Sequence, residues 1–355
     1  MSPTRSTHHC IPLVLFNADF LAAVAAFQPG LPIDFVPFAK YIARHPCRNL
    51  ILEFTMSSNY AQFNAELDDL AVLFKSYLAF PEALARLPRL FDAIPRLAHK
   101  TLCFATATAD FAMLDTLLHM PGYVEPFHGV SGIASYCGRL DVLHYLAKHK
   151  PDEEYTSQTM RWACQQGHFD IVKFLHPRVP HCMPVVMDAA AGAANLPIVL
   201  FLHIHRTAEG CSPRAMDDAA AAGAIDVVRF LHAHRTEGCT TQAMDYAAAY
   251  GHLDVVQFLH HNRREGCTSL AMTLAACNGF LDVVKFLHTH RTEGCTERAW
   301  TGAVYNKHDQ VAAFVREHRH EITNAIIARY TSFPYNRKAR PMLSVASPAL
   351  VDGSE

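Results

Sequence analysis

Thr240-Thr241-Gln242-Ala243-Met244-Asp245-Tyr246-Ala247-Ala248-Ala249-Tyr250-Gly251-His252-Leu253-Asp254-Val255-Val256-Gln257-Phe258-Leu259-His260 is the stretch that decides the fold. It is preceded by Glu237-Gly238-Cys239, and the Glu-Gly-Cys triplet returns at 209–211, 265–267 and 293–295, so its cysteines step by 28 residues. Self-similarity at a fixed period of this size marks a repeat array and outranks any single-residue reading.

Each period holds two helical patterns. In the first, Met244 is followed at i+3 and i+4 by Ala247 and Ala248, a narrow apolar stripe at helical spacing. Thr240 stands where an N-cap is wanted, and Gly251 stands where a helix end needs left-handed backbone. The second helix begins near Asp254, an acid placed at the positive end of the helix dipole, and carries Val255, Val256, Phe258 and Leu259. An earlier copy has Pro197 in the Asp254 slot, also suited to a first helical turn. His260, His261 and Arg263 close the second helix at its negative end. Neither helix buries its apolar face alone, so neighbouring copies must stack.

This helix–turn–helix unit resembles the ankyrin repeat. The resemblance rests on Ala247-Ala248-Ala249-Tyr250-Gly251-His252 and the following Val255-Val256-Gln257-Phe258-Leu259. The Thr-Pro-Leu-His start of that family is absent; Gln242-Ala243-Met244-Asp245 occupies its place. The period is also about five residues shorter than the usual ankyrin repeat, which leaves little room for a β-hairpin. The expected fold is an all-α, ankyrin-like helical-repeat solenoid with short loops.

From Gly251 the turn position steps back to Gly223, Ala194, Gly167, Gly138 and Ala109, at spacings of 28, 29, 27, 29 and 29 residues. The methionine position follows as Met216, Met187, Met160, Ser131 and Leu102. Forward, Gly279 and Lys307 continue the series, giving eight expected repeats over residues 97–320. The last copy carries Trp300 for Met and Lys307 for Gly, as terminal caps do. Residues 1–10 read as disordered, 11–96 as a helical N-terminal cap or degenerate repeats, and 321–355 as a cap helix followed by a disordered tail. Within 11–96 the helix-like stretches are Leu13 to Phe27, Phe35 to Ile42 and Leu67 to Leu78.

Lys and Arg total 31 against 33 Asp and Glu, so no basic bias points to nucleic acid. The apolar run Ile11 to Phe16 is broken by Asn17 and Asp19; it is too short for a membrane span and lacks the basic start and cleavage site of a signal peptide. Equivalent positions in stacked helices lie about 8–10 Å apart, beyond the roughly 4.4–6.8 Å that a disulfide takes between Cα atoms. Cys211, Cys239, Cys267 and Cys295 therefore read as free thiols of a reducing compartment; the cytoplasm is expected, with the nucleus left open.

The 23 histidines fall largely at helix ends set by the repeat. His-x-His pairs do not face each other on a helix, and no compact Cys-x-x-Cys accompanies them, so no metal, cofactor or catalytic residue is assigned. The Arg and Glu of each turn, such as Arg235 and Glu237, read as solvated ion pairs between repeats.

The varying positions lie one, two, five and six residues after each Met. The candidate partner-binding residues are Arg161, Trp162, Gln165 and Gln166; Asp217 and Asp218; Tyr246 and Tyr250; Leu274 and Asn278; Tyr305 and Asn306. In ankyrin-like proteins this face lines the concave side and binds other proteins. The expected function is a monomeric, non-catalytic scaffold that binds a protein partner, with no role at a membrane or on nucleic acid. The alternative is a substrate-recognition adaptor of a ubiquitin ligase that docks through residues 11–95.

Overall fold

The computed structural model describes residues 33–44, 60–80, 82–120, 129–151 and 153–318. The expectations for residues 1–10, the helix-like stretch Leu13 to Phe27 and residues 321–355 lie outside these. The chain divides into two compact units, Met1–Tyr155 and Thr156–Glu355. Helices are the regular structure throughout the described residues, so the fold is the all-α repeat array expected from the period.

The first unit opens with a 3-10 turn at Ile33–Phe35, then α1 (Val36–Arg44), α2 (Tyr60–Tyr77) and α3 (Leu87–Ala93), the last preceded by a second 3-10 turn at Leu84–Arg86. At 18 residues α2 is longer than any repeat helix. It contains most of the Leu67 to Leu78 stretch, and α1 most of Phe35 to Ile42. An aromatic cluster ties these helices together: Phe74 meets Phe38 at 5.1 Å and stacks on Phe104 at 5.0 Å. Beside it Lys100 Nζ and Glu66 Oε2 form a fully buried ion pair at 2.7 Å, to which Tyr41 also donates. Two helix pairs complete the unit, α4 (Leu97–Thr108) with α5 (Phe111–Leu118) and α6 (Val130–Tyr136) with α7 (Leu140–His149).

The second unit consists of six helix pairs over its described residues: α8 (Ser157–Gln165) with α9 (Phe169–Leu175), α10 (Val185–Gly192) with α11 (Leu196–His205), α12 (Arg214–Ala221) with α13 (Ile225–His234), α14 (Thr241–Ala249) with α15 (Leu253–Asn262), α16 (Ser269–Cys277) with α17 (Leu281–His290), and α18 (Arg298–Tyr305) with α19 (Asp309–His318). First helices stack chiefly on first helices, and each second helix packs on its own first helix.

The reason is volume. Four first helices present a Met and two alanines to their neighbours: Met187, Ala190 and Ala191, then Met216, Ala219 and Ala220, then Met244, Ala247 and Ala248, then Met272, Ala275 and Ala276, all buried. Alanines let the helix axes approach, and the flexible methionine fills what space remains. On the second helices Val227, Val228, Leu231 and their counterparts are buried, as are Val255, Val256, Leu259, Val283, Val284 and Leu287.

The turn within each pair is set by one residue of left-handed backbone. Gly251 has φ +83°, and His252 N–H then bonds back to Ala247 O at 2.9 Å, the longer bond of a Schellman ending. The position also has no room for a side chain: a Cβ on Gly251 would lie 2.5 Å from the Phe280 ring of the next repeat. Where the sequence substitutes Ala109, Ala194 and Lys307, the backbone keeps the same turn, with φ of 56°, 55° and 63°. The closing bonds persist too, from Asp110, Asn195 and His308 N–H to Ala105, Ala190 and Ala303 O. The geometry is thus imposed by the stack, and three non-glycine residues carry the strain.

Candidate functional site

In the second unit a constant core adjoins a varying face, and α12, α14, α16 and α18 build most of that face. The stack orders these helices side by side. Residues four and seven or eight apart share a helix face. Gln242, Tyr246 and Tyr250 therefore line α14; Leu270, Leu274 and Asn278 line α16; Arg298, Gly302 and Tyr305 line α18.

Exposure separates the candidates into three groups. Tyr246, Tyr250 and Tyr305 are 40 %, 59 % and 79 % exposed, and Gln166, Asn278 and Asn306 are exposed as well. Arg161, Gln165, Asp218 and Leu274 are half-buried. Trp162 and Asp217 are buried, which corrects the expectation that they face outward.

The two corrections have different causes. Helical side chains lean back over the preceding turn, and the Trp162 indole does so. In the amide orientation that satisfies both donors, the Gln158 oxygen accepts from Trp162 Nε1 and Arg161 Nη1, each at 3.2 Å. Asp217 is covered instead by the next repeat. Its Oδ1 accepts the Thr240 backbone N–H at 2.8 Å and its Oδ2 accepts the Thr240 hydroxyl at 2.8 Å. Asp188 does the same to Ser212 at 2.8 and 2.7 Å, and Asp245 to Thr268 at 2.8 Å for both bonds. In the following repeat Thr273 Oγ1 accepts Thr296 N–H at 2.9 Å. Each Thr hydroxyl in turn accepts from its own helix, Thr240 from Gln242 N–H at 3.1 Å and Thr268 from Leu270 N–H at 3.1 Å. The residue after Met is thus the outer half of a cap for the next first helix. Its signal in the sequence is the pairing of an Asp with a Ser or Thr 23 or 24 residues later.

Two exposed candidates also have structural duties. Asn278 Nδ2 donates to Ala249 O and Asn306 Nδ2 to Cys277 O, both at 2.8 Å, so each amide ties its repeat to the one before. Leu270, 50 % exposed beside Leu274 on α16, is a member of the face that the spacing rule did not pick out.

The charged edge differs from the expectation of solvated pairs between repeats. Arg235, Arg263 and Arg291 each pair with the Glu two residues on, within their own turn. The Arg235–Glu237 turn is half-buried and reaches the previous repeat through Glu237 Oε1, which accepts Cys211 N–H at 3.2 Å, while the Arg291–Glu293 pair is exposed. Burial alone raises the Glu237 carboxyl, but hydrogen bonds from Arg235 and from backbone N–H groups outweigh it and bring the pKa down to about 2. Arg206 is more enclosed: it donates to His176 Nδ1 at 3.0 Å, to Val179 O at 2.6 Å and to Glu209 at 3.2 Å, holding the irregular loop before α10.

None of the described cysteines is in a disulfide. Burial pushes the thiol of Cys211 up to about 12 and those of Cys239 and Cys267 up to about 11, so they are protonated and poorly nucleophilic at neutral pH. Among the described residues no three of His, Cys, Asp and Glu are grouped to hold a metal ion, and no helix is long and apolar enough to cross a membrane. The histidines contribute rings instead. His203, His232, His260 and His288 stand edge-on to Phe230, Phe258, Phe286 and Phe314 of the next repeat, with centroids 5.3–5.5 Å apart.

A family model described as ankyrin repeats in many copies matches residues 216–260 and 244–288. Its two matches cover α14 and α15 together with most of the pairs on either side. No curated protein matches the chain. Residues 216–288 are ankyrin repeats, and ankyrin repeats are protein–protein interaction modules.

Proposed function

We propose that the ankyrin repeats of this chain form a non-catalytic scaffold that binds a protein partner through the outer face of α12, α14, α16 and α18. The observation that carries this reading is the set of exposed tyrosines, Tyr246, Tyr250 and Tyr305, on helices whose other sides are closed by Met and Ala or, on α18, by Trp300 and Ala303. Tyrosine is enriched where interfaces concentrate their binding energy, and it immobilises little rotamer freedom for the area it covers. The helices beneath are fixed by caps that run from repeat to repeat, so the face is ordered before a partner arrives and loses little entropy on binding.

The test is affinity capture from lysate with the full chain and with the Tyr246→Ala/Tyr250→Ala variant, both verified as folded by thermal melts. Partners held by the wild type and lost by the variant support this face. The same partners at the same yield on both proteins would place binding elsewhere.

A further inference from the structure

The chemistry of the partner can be read from which charges around this face are already answered. This step rests on the scaffold reading above. Along the capped side of α14, α16 and α18 three acids are committed, Asp245 to Thr268, Glu265 to Arg263 and Glu293 to Arg291, and Glu297, which precedes α18, is half-buried. Two guanidinium groups are not committed. Arg264, in the turn leading into α16, and Arg298, the first residue of α18, are exposed. Among the described residues neither has a carboxylate within ion-pair distance.

Between and beside them the face is apolar or aromatic. Leu270 follows Arg264 by six residues and opens α16, and Leu274 lies one turn further on. Arg298 and Tyr305 are seven residues apart and share a face of α18, with Gly302 between them. Gly302 brings α16 and α18 close together, since a Cβ there would lie 2.3 Å from Cys277 Sγ. Arg298 opens α18 at the register Leu270 holds on α16, so Arg298, Leu270 and Leu274 share one area of surface, with Tyr246 on the adjoining helix and Arg264 in the turn that leads into α16. Neighbouring helices stand about 8–10 Å apart, so the area from α14 to α18 spans some 16–20 Å. At roughly 3.3 Å per residue an extended chain crosses it in about five or six residues.

We propose that the partner is engaged through an acidic polypeptide segment, whose carboxylates meet Arg264 and Arg298 and whose apolar side chains lie over Tyr246, Leu270 and Leu274. Arginine presents a planar fork of donors matched to a carboxylate, and an unanswered pair of them repels a basic partner. Phosphate oxygens match the same fork, but aliphatic Leu270 and Leu274 offer no stacking platform for bases, and the chain as a whole, with 31 basic and 33 acidic residues, has no basic excess. A polypeptide fits the whole area, and a nucleic acid fits only its arginines.

Fluorescence anisotropy on the full chain at about 0.15 M salt tests this. The probes are a labelled glutamate–tyrosine copolymer, the matching lysine–tyrosine copolymer and an oligothymidylate. The proteins are the wild type, Arg264→Glu/Arg298→Glu and Tyr246→Ala/Tyr250→Ala, each checked by thermal melt. The wild type is expected to bind the acidic copolymer and to discriminate against the basic one. Charge reversal is expected to weaken acidic-copolymer binding at least tenfold and to strengthen binding of the basic one. No binding of the acidic copolymer by the wild type, unchanged binding by the charge-reversed protein, or oligothymidylate binding as tight as the copolymer would each overturn the proposal. Sensitivity to the tyrosine pair without sensitivity to the arginine pair would remove the acidic partner and leave the scaffold face standing. Insensitivity to both pairs would remove both readings.

Discussion

The carboxylate of Asp245 takes both hydrogen-bond donors of Thr268, its backbone N–H and its hydroxyl, at 2.8 Å each. A residue of one repeat thereby completes the helix cap of the next. The same contact recurs at Asp188–Ser212 and Asp217–Thr240.

Asp245→Ala should destabilise the protein by about 1–3 kcal/mol, the usual effect of stranding a buried donor. Asp245→Asn, which keeps one acceptor oxygen, should lose less. Urea melts of the two variants check the order. Equal, negligible losses would mean that water replaces the carboxylate.

Ala194→Gly and Lys307→Gly should each stabilise the protein by about 0.5–1 kcal/mol. Left-handed backbone costs an L-residue about 1–2 kcal/mol, and glycine's larger loss of freedom on folding offsets part of the gain. Gly223→Ala should act in the opposite direction and more strongly, by about 2 kcal/mol or more, because its Cβ would lie 2.5 Å from the His252 ring. Thermal melts of the three variants decide this.

Met244→Asp should be severely destabilising, by about 3–5 kcal/mol, because Met244 is buried and a carboxylate there would be cut off from water. Tyr250→Ala should change stability by no more than about 0.5 kcal/mol. Similar losses in the two proteins would invert the assignment of inner and outer positions.

Stability should fall as pH drops from 7 toward 5. The Nδ1 atoms of His203 and His260 are buried without a hydrogen-bond partner. Burial lowers the pKa of both rings below the usual 6.5, with Arg235 and His234 adding to it at His203, and His261, Arg291 and His290 at His260, against Glu237 and Glu293. The folded chain therefore binds fewer protons than the unfolded one below that value. The stability is complete above pH 6.5 and drains away as pH falls through the folded pKa values. A double His203→Gln/His260→Gln variant should flatten the pH dependence of the melting temperature, and a slope equal to that of the wild type would refute the assignment.

The period, the helix pairs, the Met–Ala core and the turn position were legible because each recurs, and recurrence turns a weak local signal into a strong one. Ala194 and Lys307 could be placed at the glycine position by spacing alone. The role of Asp217 could not. A helical wheel drawn for α12 places the residue after Met away from the core stripe, but a stack covers the flank of each helix with the next one. Which flank is covered depends on the neighbour, and no single helix encodes that. Trp162 escaped for a smaller reason, the backward lean of its own side chain. Tyr246 and Tyr250 were legible as outward residues because their positions lie off the core stripe, whereas Tyr305 holds the register of buried Ala249 and is exposed on the last described first helix.

The cap contacts have a direction. The acceptor always sits in the earlier repeat and the donor in the later one, from Asp188 to Ser212 through to Thr273 and Thr296. A ribosome delivers the chain in the same order, earlier repeats first. Each newly made first helix meets an acceptor already in place, so the growing chain is itself the template on which its next turn of helix begins.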